Sequence, residues 1–161
     1  MNNFPIQHEG KTYWISRHVA VTCFVFAPFN GEWCVLANKR GPNTPDFQGY
    51  WNCPCGYLDF NETTTQAAMR EVYEETGVLL NSVKLWKVMD SPKENNQNIV
   101  FRYYSIIPYT FQPNSNTEIR GGEYGEVTAA IWIPVKMLDQ YQWAFNHDKA
   151  VQDLMRELNL N

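Results

Sequence analysis

The chain has 161 residues and a mass of 18.8 kDa, which is room for one globular domain over 1–161 and too little for two. Hydrophobic residues make up 44% and aromatics 15%, a composition that excludes a disordered or fibrous polypeptide. With 13 basic against 17 acidic residues, a net charge of −4 and no block of Lys or Arg, the chain is not built for general nucleic-acid binding or for a membrane surface. A phosphorylated small molecule is still accessible to it, through a few local cations or a metal.

In chain order, a short first strand is expected over 11–15, then a Val- and Phe-rich buried strand over 17–27. Asn30-Gly31 is a hairpin turn, because both residues tolerate positive φ, and 33–38 is the returning strand. Residues 40–50 are Gly, Pro, Asn and Asp without apolar periodicity, so they form a loop. In the run 51–58, Pro54 and Gly56 prevent a long regular strand. A helix is expected from Thr63 or Thr64 to Thr76: Thr63 with Gln66 gives a capping box, and Gly77 is a C-terminal stop. Strands over 83–89 and 99–108 flank a polar loop at 90–98. A second loop, 112–125, leads to a strand over 126–133 that Pro134 ends, and 144–158 reads as a closing amphipathic helix. The helices are too few and too far apart for repeated βαβ units, so a mixed sheet covered by helices is the expected α/β architecture.

Four cysteines, Cys23, Cys34, Cys53 and Cys55, do not make a disulfide framework, and Cys53-x-Cys55 has no second Cys or His pair at zinc spacing. His8, His18 and His147 are scattered, without a matching nucleophile. The N-terminal residues lack a signal-peptide profile and no apolar run can span a bilayer, so the expected location is cytoplasmic with no membrane partner. A homodimer is compatible with the sequence.

The informative segment is the helix. Glu71, Glu74 and Glu75 are related by steps of three and four and occupy an arc of roughly 100° on one face. Three carboxylates that close repel one another, and a divalent cation would neutralise them. Oxygen-only ligation suits Mg²⁺ or Mn²⁺ rather than zinc. The other side, with Ala68, Val72 and beside them Met69 and Tyr73, is apolar or small and can pack on a sheet. Arg70, next to the cluster, can orient a carboxylate by a bidentate contact.

Gly56, Glu62, Arg70-Glu71-Val72, Glu74-Glu75 and Gly77-Val78 stand at the spacing of the Nudix box, strictly over 56–78. A pattern of seven identities and two aliphatic positions arises by chance on the order of once in 10⁷ chains. The chain therefore resembles the Nudix hydrolases. That resemblance implies an α/β/α sandwich with a mixed central sheet, and hydrolysis of a nucleoside diphosphate linked to another group. It implies Mg²⁺, or Mn²⁺, held by Glu71, Glu74, Glu75 and the backbone carbonyl of Gly56 or Cys55. Glu62 would ligate through water or position Arg70, and Gly77 would end the helix. The family takes one further acid from outside the box; Glu126 is the first choice, with Glu123 and Glu118 as alternatives. The chain departs from the family at Cys55, where Gly is common.

For substrate contacts the sequence offers Arg17, Lys39 and Arg40 for phosphate, and Phe47, Tyr50 or Tyr13 for stacking on a base. Asp90-Ser91-Pro92 is similar to a segment of ADP-ribose-cleaving members, which puts ADP-ribose or a nucleotide sugar ahead of a non-standard nucleoside triphosphate. Two other readings stand beside this one. The first is a non-catalytic domain that senses a nucleotide. The second is a diphosphate isomerase of the same fold, using Cys53 or Cys55 as an acid.

Overall fold

A computed structural model describes residues 3–92, 98–108 and 125–160. Its strands are β1 (Phe4–His8), β2 (Lys11–Ile15), β3 (Val19–Phe29), β4 (Glu32–Arg40), β5 (Trp51–Asn52), β6 (Cys55–Tyr57), β7 (Lys84–Met89), β8 (Ile99–Ile106) and β9 (Val127–Pro134). Two α-helices, α1 (Thr64–Thr76) and α2 (His147–Leu158), and a 3₁₀ helix, Val135–Gln140, complete the described elements.

The main sheet runs β5-β4-β3-β8-β7, with β9 on the far side of β4 and β6 on β3. It is mixed, since β3 pairs antiparallel with β4 but parallel with β8. Alternation along β3 sets the layers. Val21, Cys23, Val25 and Ala27 join Leu36, Trp132 and the α1 residues Ala67, Ala68 and Val72 in one core. Phe24 and Phe26 face the other way, with Val35, Ile131, Ile133 and the α2 residues Ala150, Val151 and Leu154. Each fully buried Val, Leu, Ile or Phe side chain among these contributes about 1.5–3 kcal/mol. One helix per face makes the α/β/α sandwich that the sequence leads one to expect.

A fork in the sheet positions the site. β3 and β4 pair only over Phe26–Phe29 with Glu32–Val35. Beyond that point β4 pairs with β5 through Asn38 and Lys39, while β3 pairs with β6 through Ala20, Val21 and Thr22. The connection Cys53-Pro54 bridges the gap, and the Cys23 amide donates to the Pro54 carbonyl at 2.9 Å. The turn carrying Cys55 and Gly56 is thus wedged into the opening.

Several boundaries differ from those read in the sequence. β1 pairs with β2 as a separate two-stranded sheet that 11–15 alone did not announce. β3 begins at Val19 and continues through Pro28 to Phe29, and β4 extends to Arg40 because β9 holds its outer edge as far as Val127. The closing helix starts at His147 rather than 144. Phe145 and Asn146 have φ of +58° and +54°, which an α-helix cannot contain. Residues 135–140 form the unforeseen 3₁₀ turn. Glu118 and Glu123, and the loop 112–125 apart from Gly125, lie outside the described residues. Among the described residues no helix is long and apolar enough to cross a membrane.

Candidate active site

Local chemistry sets the α1 helix above the fork. The Thr63 hydroxyl accepts from the Gln66 amide at 3.2 Å, and the Gln66 side chain accepts from the Thr63 amide at 2.8 Å, which closes the capping box. Gly77 takes φ +73° and its amide donates to the Tyr73 carbonyl, a left-handed stop that a residue with a Cβ adopts at a cost. Ala67, Ala68, Val72 and Thr76 are buried beneath the helix, while Met69 and Tyr73 are half-buried at its sides. Burying that stripe turns Arg70, Glu71, Glu74 and Glu75 toward the wedge and its rim.

Arg70 is the hub. Its Nε and Nη2 donate to the two oxygens of Glu62 at 3.0 and 2.7 Å, a bidentate pair. Nη2 also donates to the Tyr57 carbonyl at 3.0 Å, and Nη1 donates to Glu71 Oε1 at 2.7 Å and Glu74 Oε2 at 2.9 Å. Glu62 is fixed from its other side by the Asp59 amide at 3.0 Å. Arg70 holds the Glu62 carboxyl below the usual carboxylate range, and Glu62 pushes the Arg70 guanidinium up.

Glu71 and Glu75 behave differently. Burial raises Glu71 to about 7 against the opposing pull of Arg70. Burial, and next the charge of Glu71, push Glu75 well above the ordinary value. Glu75 Oε2 accepts from the Cys55 amide at 3.0 Å, tying the helix to the wedged turn. Gly56 lies against Glu71 so closely that a Cβ there would be 2.1 Å from Oε1. Glu126 stands just before β9; its carbonyl accepts from the Gly41 amide at 2.6 Å, and its charge acts on Glu75. Glu62, Arg70, Glu71, Glu74, Glu75 and Gly56 are therefore brought together, with Glu126 at the start of β9 near enough for its charge to raise Glu75.

A family model for the NUDIX domain matches residues 16–154. The chain belongs to the Nudix family. An ADP-ribose pyrophosphatase of Methanocaldococcus jannaschii is 26% identical over 153 residues, which cover 95% of this chain and 83% of that protein. The phosphatase NudJ of Escherichia coli is 39% identical over 61 residues, 38% of this chain and 35% of NudJ. Among solved structures, the NUDIX domain of Shewanella oneidensis NrtR, crystallised with ADP ribose, superimposes with a TM-score of 0.74 at 20% identity, covering 89% of this chain and 90% of that one. At that identity the likeness is one of fold. With these relatives and its complete box, this Nudix chain is a pyrophosphohydrolase.

Nudix hydrolases generally use divalent metal ions, and the donor set here fits one. Glu71, Glu74 and Glu75 offer only oxygen, two of them carry raised pKa values that a nearby cation would bring down, and Gly56 leaves open the space a side chain would fill. Among the described residues no three acidic, His or Cys groups are already gathered as a ligand sphere. Arg70 and the Cys55 amide occupy the carboxylates instead, so a cation would exchange with those hydrogen bonds.

The substrate candidates of this Nudix domain lie in several separate places. Arg17, before β3, donates to the Asn98 carbonyl at 3.3 Å, beside β8. Arg40 ends β4 and is clasped by Asp46, with Nη2 to Oδ1 at 2.6 Å and Nε to the carbonyl at 3.0 Å. Its guanidinium lies 4.9 Å over the ring of Phe145. Phe47 packs on Tyr50 at 5.6 Å and on Phe145 at 5.0 Å between centroids. Lys39 lies over Trp51 at 6.0 Å, and Tyr13 is on the separate β1–β2 sheet. Phe47 also has φ +49°, and a bulky residue in the left-handed region costs about 1–3 kcal/mol. The sequence did not reveal Phe145, which lay in a segment read as helix; the Asn146 that follows it was the available signal of a helix start.

Burial bears against the cysteine acid of the isomerase reading, and it accounts for His147 as a structurally satisfied residue. Cys53 is wholly buried and Cys55 half-buried, and both thiols are pushed up by burial, so neither is a ready acid. Cys55 Sγ accepts instead from Asn52 Nδ2 at 3.1 Å. His147 is buried and lowered to about 3, first by burial and then by Arg102 and Arg40. Its Nδ1 accepts from the Cys53 amide at 3.0 Å, two residues before the wedged turn reaches Cys55.

Proposed function

We propose that this Nudix hydrolase cleaves the diphosphate linkage of a nucleoside diphosphate derivative, ADP-ribose or a nucleotide sugar ahead of a non-standard nucleoside triphosphate. The observation that carries the reading is Arg70 drawing Glu62, Glu71 and Glu74 together beside the Gly56–Glu71 contact. The similarity to an ADP-ribose pyrophosphatase along 95% of the chain supports the substrate class, together with Asp90-Ser91-Pro92.

On this reading water attacks one phosphorus and the bridging P–O bond breaks. Glu71, Glu74, Glu75 and the Gly56 carbonyl would hold Mg²⁺, or Mn²⁺, which supplies charge neutralisation at the phosphate oxygens and a more acidic water. Arg70 orients Glu71 and Glu74, and Glu62 fixes Arg70. Glu126, near enough to Glu75 for their charges to interact, takes the proton of the attacking water. Arg40, whose Nε and Nη2 are held by Asp46, is the first phosphate contact. Arg17 is the second phosphate contact. Its substitution by Ala should raise KM, and an unchanged KM would remove it from the reading.

The deciding experiment measures products with Mg²⁺ across ADP-ribose, NADH, dinucleoside polyphosphates and dNTPs. Release of AMP from ADP-ribose at the highest kcat/KM is expected. Binding without turnover would make the chain a sensor, and turnover confined to dNTPs would move the substrate class. A homodimer belongs to the same reading on one ground. A two-stranded sheet is marginal alone, and β1–β2 leaves Phe4, Ile6, Tyr13 and Ile15 exposed on one face. Sedimentation equilibrium tests it, and a monomer at all concentrations would exclude it.

A further inference from the structure

Cys53 and Pro54 lie between the β5 and β6 ladders, so their backbone groups must find partners outside a strand pairing. The Pro54 carbonyl accepts from the Cys23 amide at 2.9 Å, and the next amide, of Cys55, donates to Glu75 Oε2 at 3.0 Å. Cys53 is held by side chains. Its amide donates to His147 Nδ1 at 3.0 Å, and its carbonyl accepts from Asn52 Nδ2, also at 3.0 Å. The same Nδ2 donates to Cys55 Sγ at 3.1 Å. Asn52, Cys53 and His147 are all buried, so bulk water does not replace a lost partner.

His147 comes to Cys53 from 94 residues away, and the chain before it is fastened for that purpose. The Trp51 amide donates to the Gln142 carbonyl at 2.8 Å, the Ala144 amide to the Trp51 carbonyl at 2.8 Å, and the His147 amide to the Ala144 carbonyl at 3.1 Å. Phe145 and Asn146 then turn the chain into α2 through left-handed conformations, with φ of +58° and +54°. The imidazole that results packs among apolar rings, 5.7 Å from Phe24 and 5.5 Å from Phe145 between centroids. A leucine would be buried there at less cost, so packing does not account for the histidine. The Cys53 amide does, because it needs an acceptor at that point.

We propose that His147 and Asn52 are positioning residues for the hydrolysis. By holding Cys53 at both its N–H and its C=O, they fix the Cys55 amide against Glu75 and Gly56 against Glu71. His147 does so from the α2 face of the sheet, opposite the helix that carries the carboxylates. Each acts through the turn and not on the reacting atoms. The inference rests on the proposed role of Gly56, Glu71 and Glu75 in holding a divalent cation.

The test compares wild type, His147→Leu, His147→Asn and Asn52→Ala on ADP-ribose with Mg²⁺, well below their melting temperatures. The Mn²⁺ affinity of each substrate-free protein is measured by electron paramagnetic resonance. His147→Leu and Asn52→Ala should each lower kcat by about 10- to 100-fold and weaken Mn²⁺ binding by about tenfold, the range for losing a partner behind a metal ligand. KM should stay within about twofold, because the phosphate contacts are assigned elsewhere, to Arg17 and Arg40. His147→Asn brings an oxygen acceptor near the place of Nδ1 and should keep kcat and Mn²⁺ affinity within about threefold of wild type. If His147→Leu does not fold, Asn52→Ala carries the comparison. Folded variants that melt earlier but keep wild-type kcat and Mn²⁺ affinity overturn the inference. A His147→Asn variant as impaired as His147→Leu overturns the acceptor role of His147. If wild type turns over no diphosphate, the proposed activity fails, and the Mn²⁺ affinities still decide the positioning. Wild type that binds no Mn²⁺ overturns the inference.

Discussion

Gly56 and Glu71 approach so closely that an added Cβ on the glycine would fall 2.1 Å from the carboxylate oxygen and 2.3 Å from its carbon. No positive φ is involved, so the requirement for glycine here is one of space. The helix carboxylate and the wedged turn share a volume that only a hydrogen atom can enter.

Gly56→Ala should therefore displace Glu71 while leaving both cores intact. A misplacement of about 1 Å in a reacting constellation costs roughly a hundredfold in rate, and a loss of that order in kcat is expected. Circular dichroism should show a native spectrum. A variant with wild-type kcat would show that the Glu71 position is immaterial to turnover.

Glu74→Gln should lower kcat by several orders of magnitude with the fold retained, since it removes a charge from the cluster proposed to hold the metal. In the wild type, EDTA should abolish activity, and Mg²⁺ or Mn²⁺ should restore it. Activity that survives thorough chelation would point to a mechanism without the ion.

Arg70→Lys tests the hub. A lysine keeps the charge but cannot make the two parallel contacts to Glu62 while reaching Glu71 and Glu74. The variant should lose most of its activity, close to the level of Arg70→Ala. Full activity in the lysine variant would mean that charge alone suffices.

His147 gives a pH dependence with a definite sign. An unfolded histidine titrates near 6.5, whereas the folded ring is held neutral down to about pH 3. Below pH 6.5 the unfolded chain gains a proton that the folded chain refuses, so this contribution is complete above pH 6.5 and is lost as pH falls. The slope approaches about 1.4 kcal/mol per pH unit. His147→Gln keeps an acceptor for the Cys53 amide without titrating. The stability difference between wild type and this variant should shrink or reverse between pH 6.5 and 4, while carboxylates common to both cancel. A difference that is flat in pH would rule out the neutral buried ring.

What the sequence disclosed was mostly local. The α1 helix was legible because its capping box, its left-handed stop at Gly77 and its carboxylate spacing all lie within 15 residues, and each rests on one turn of backbone. The Asn30-Gly31 turn was legible for the same reason, and its φ values of +49° and +80° are those a two-residue hairpin needs. Residues 144–146 were misread because apolar periodicity continued into them, while the β5 pairing and the Ala144–Trp51 hydrogen bond decided their conformation from far away in sequence. Arg40 was offered as a phosphate contact; its clasp by Asp46 is local, while its packing against Phe145 depended on the same long-range closure. Cys55 looked like a lapse from glycine. Its backbone amide to Glu75 is what the site uses, and any residue but proline supplies that amide.

The fork between β3 and β4 has a mechanical consequence. The turn proposed to hold the metal is clamped from both sides by strands whose divergence is set by the cores above and below them, so its shape is a readout of how far the sheet opens. Substitutions at remote packed positions such as Val35 or Leu36, which alter that opening by a fraction of an ångström, would register as slower turnover well before any loss of folded protein.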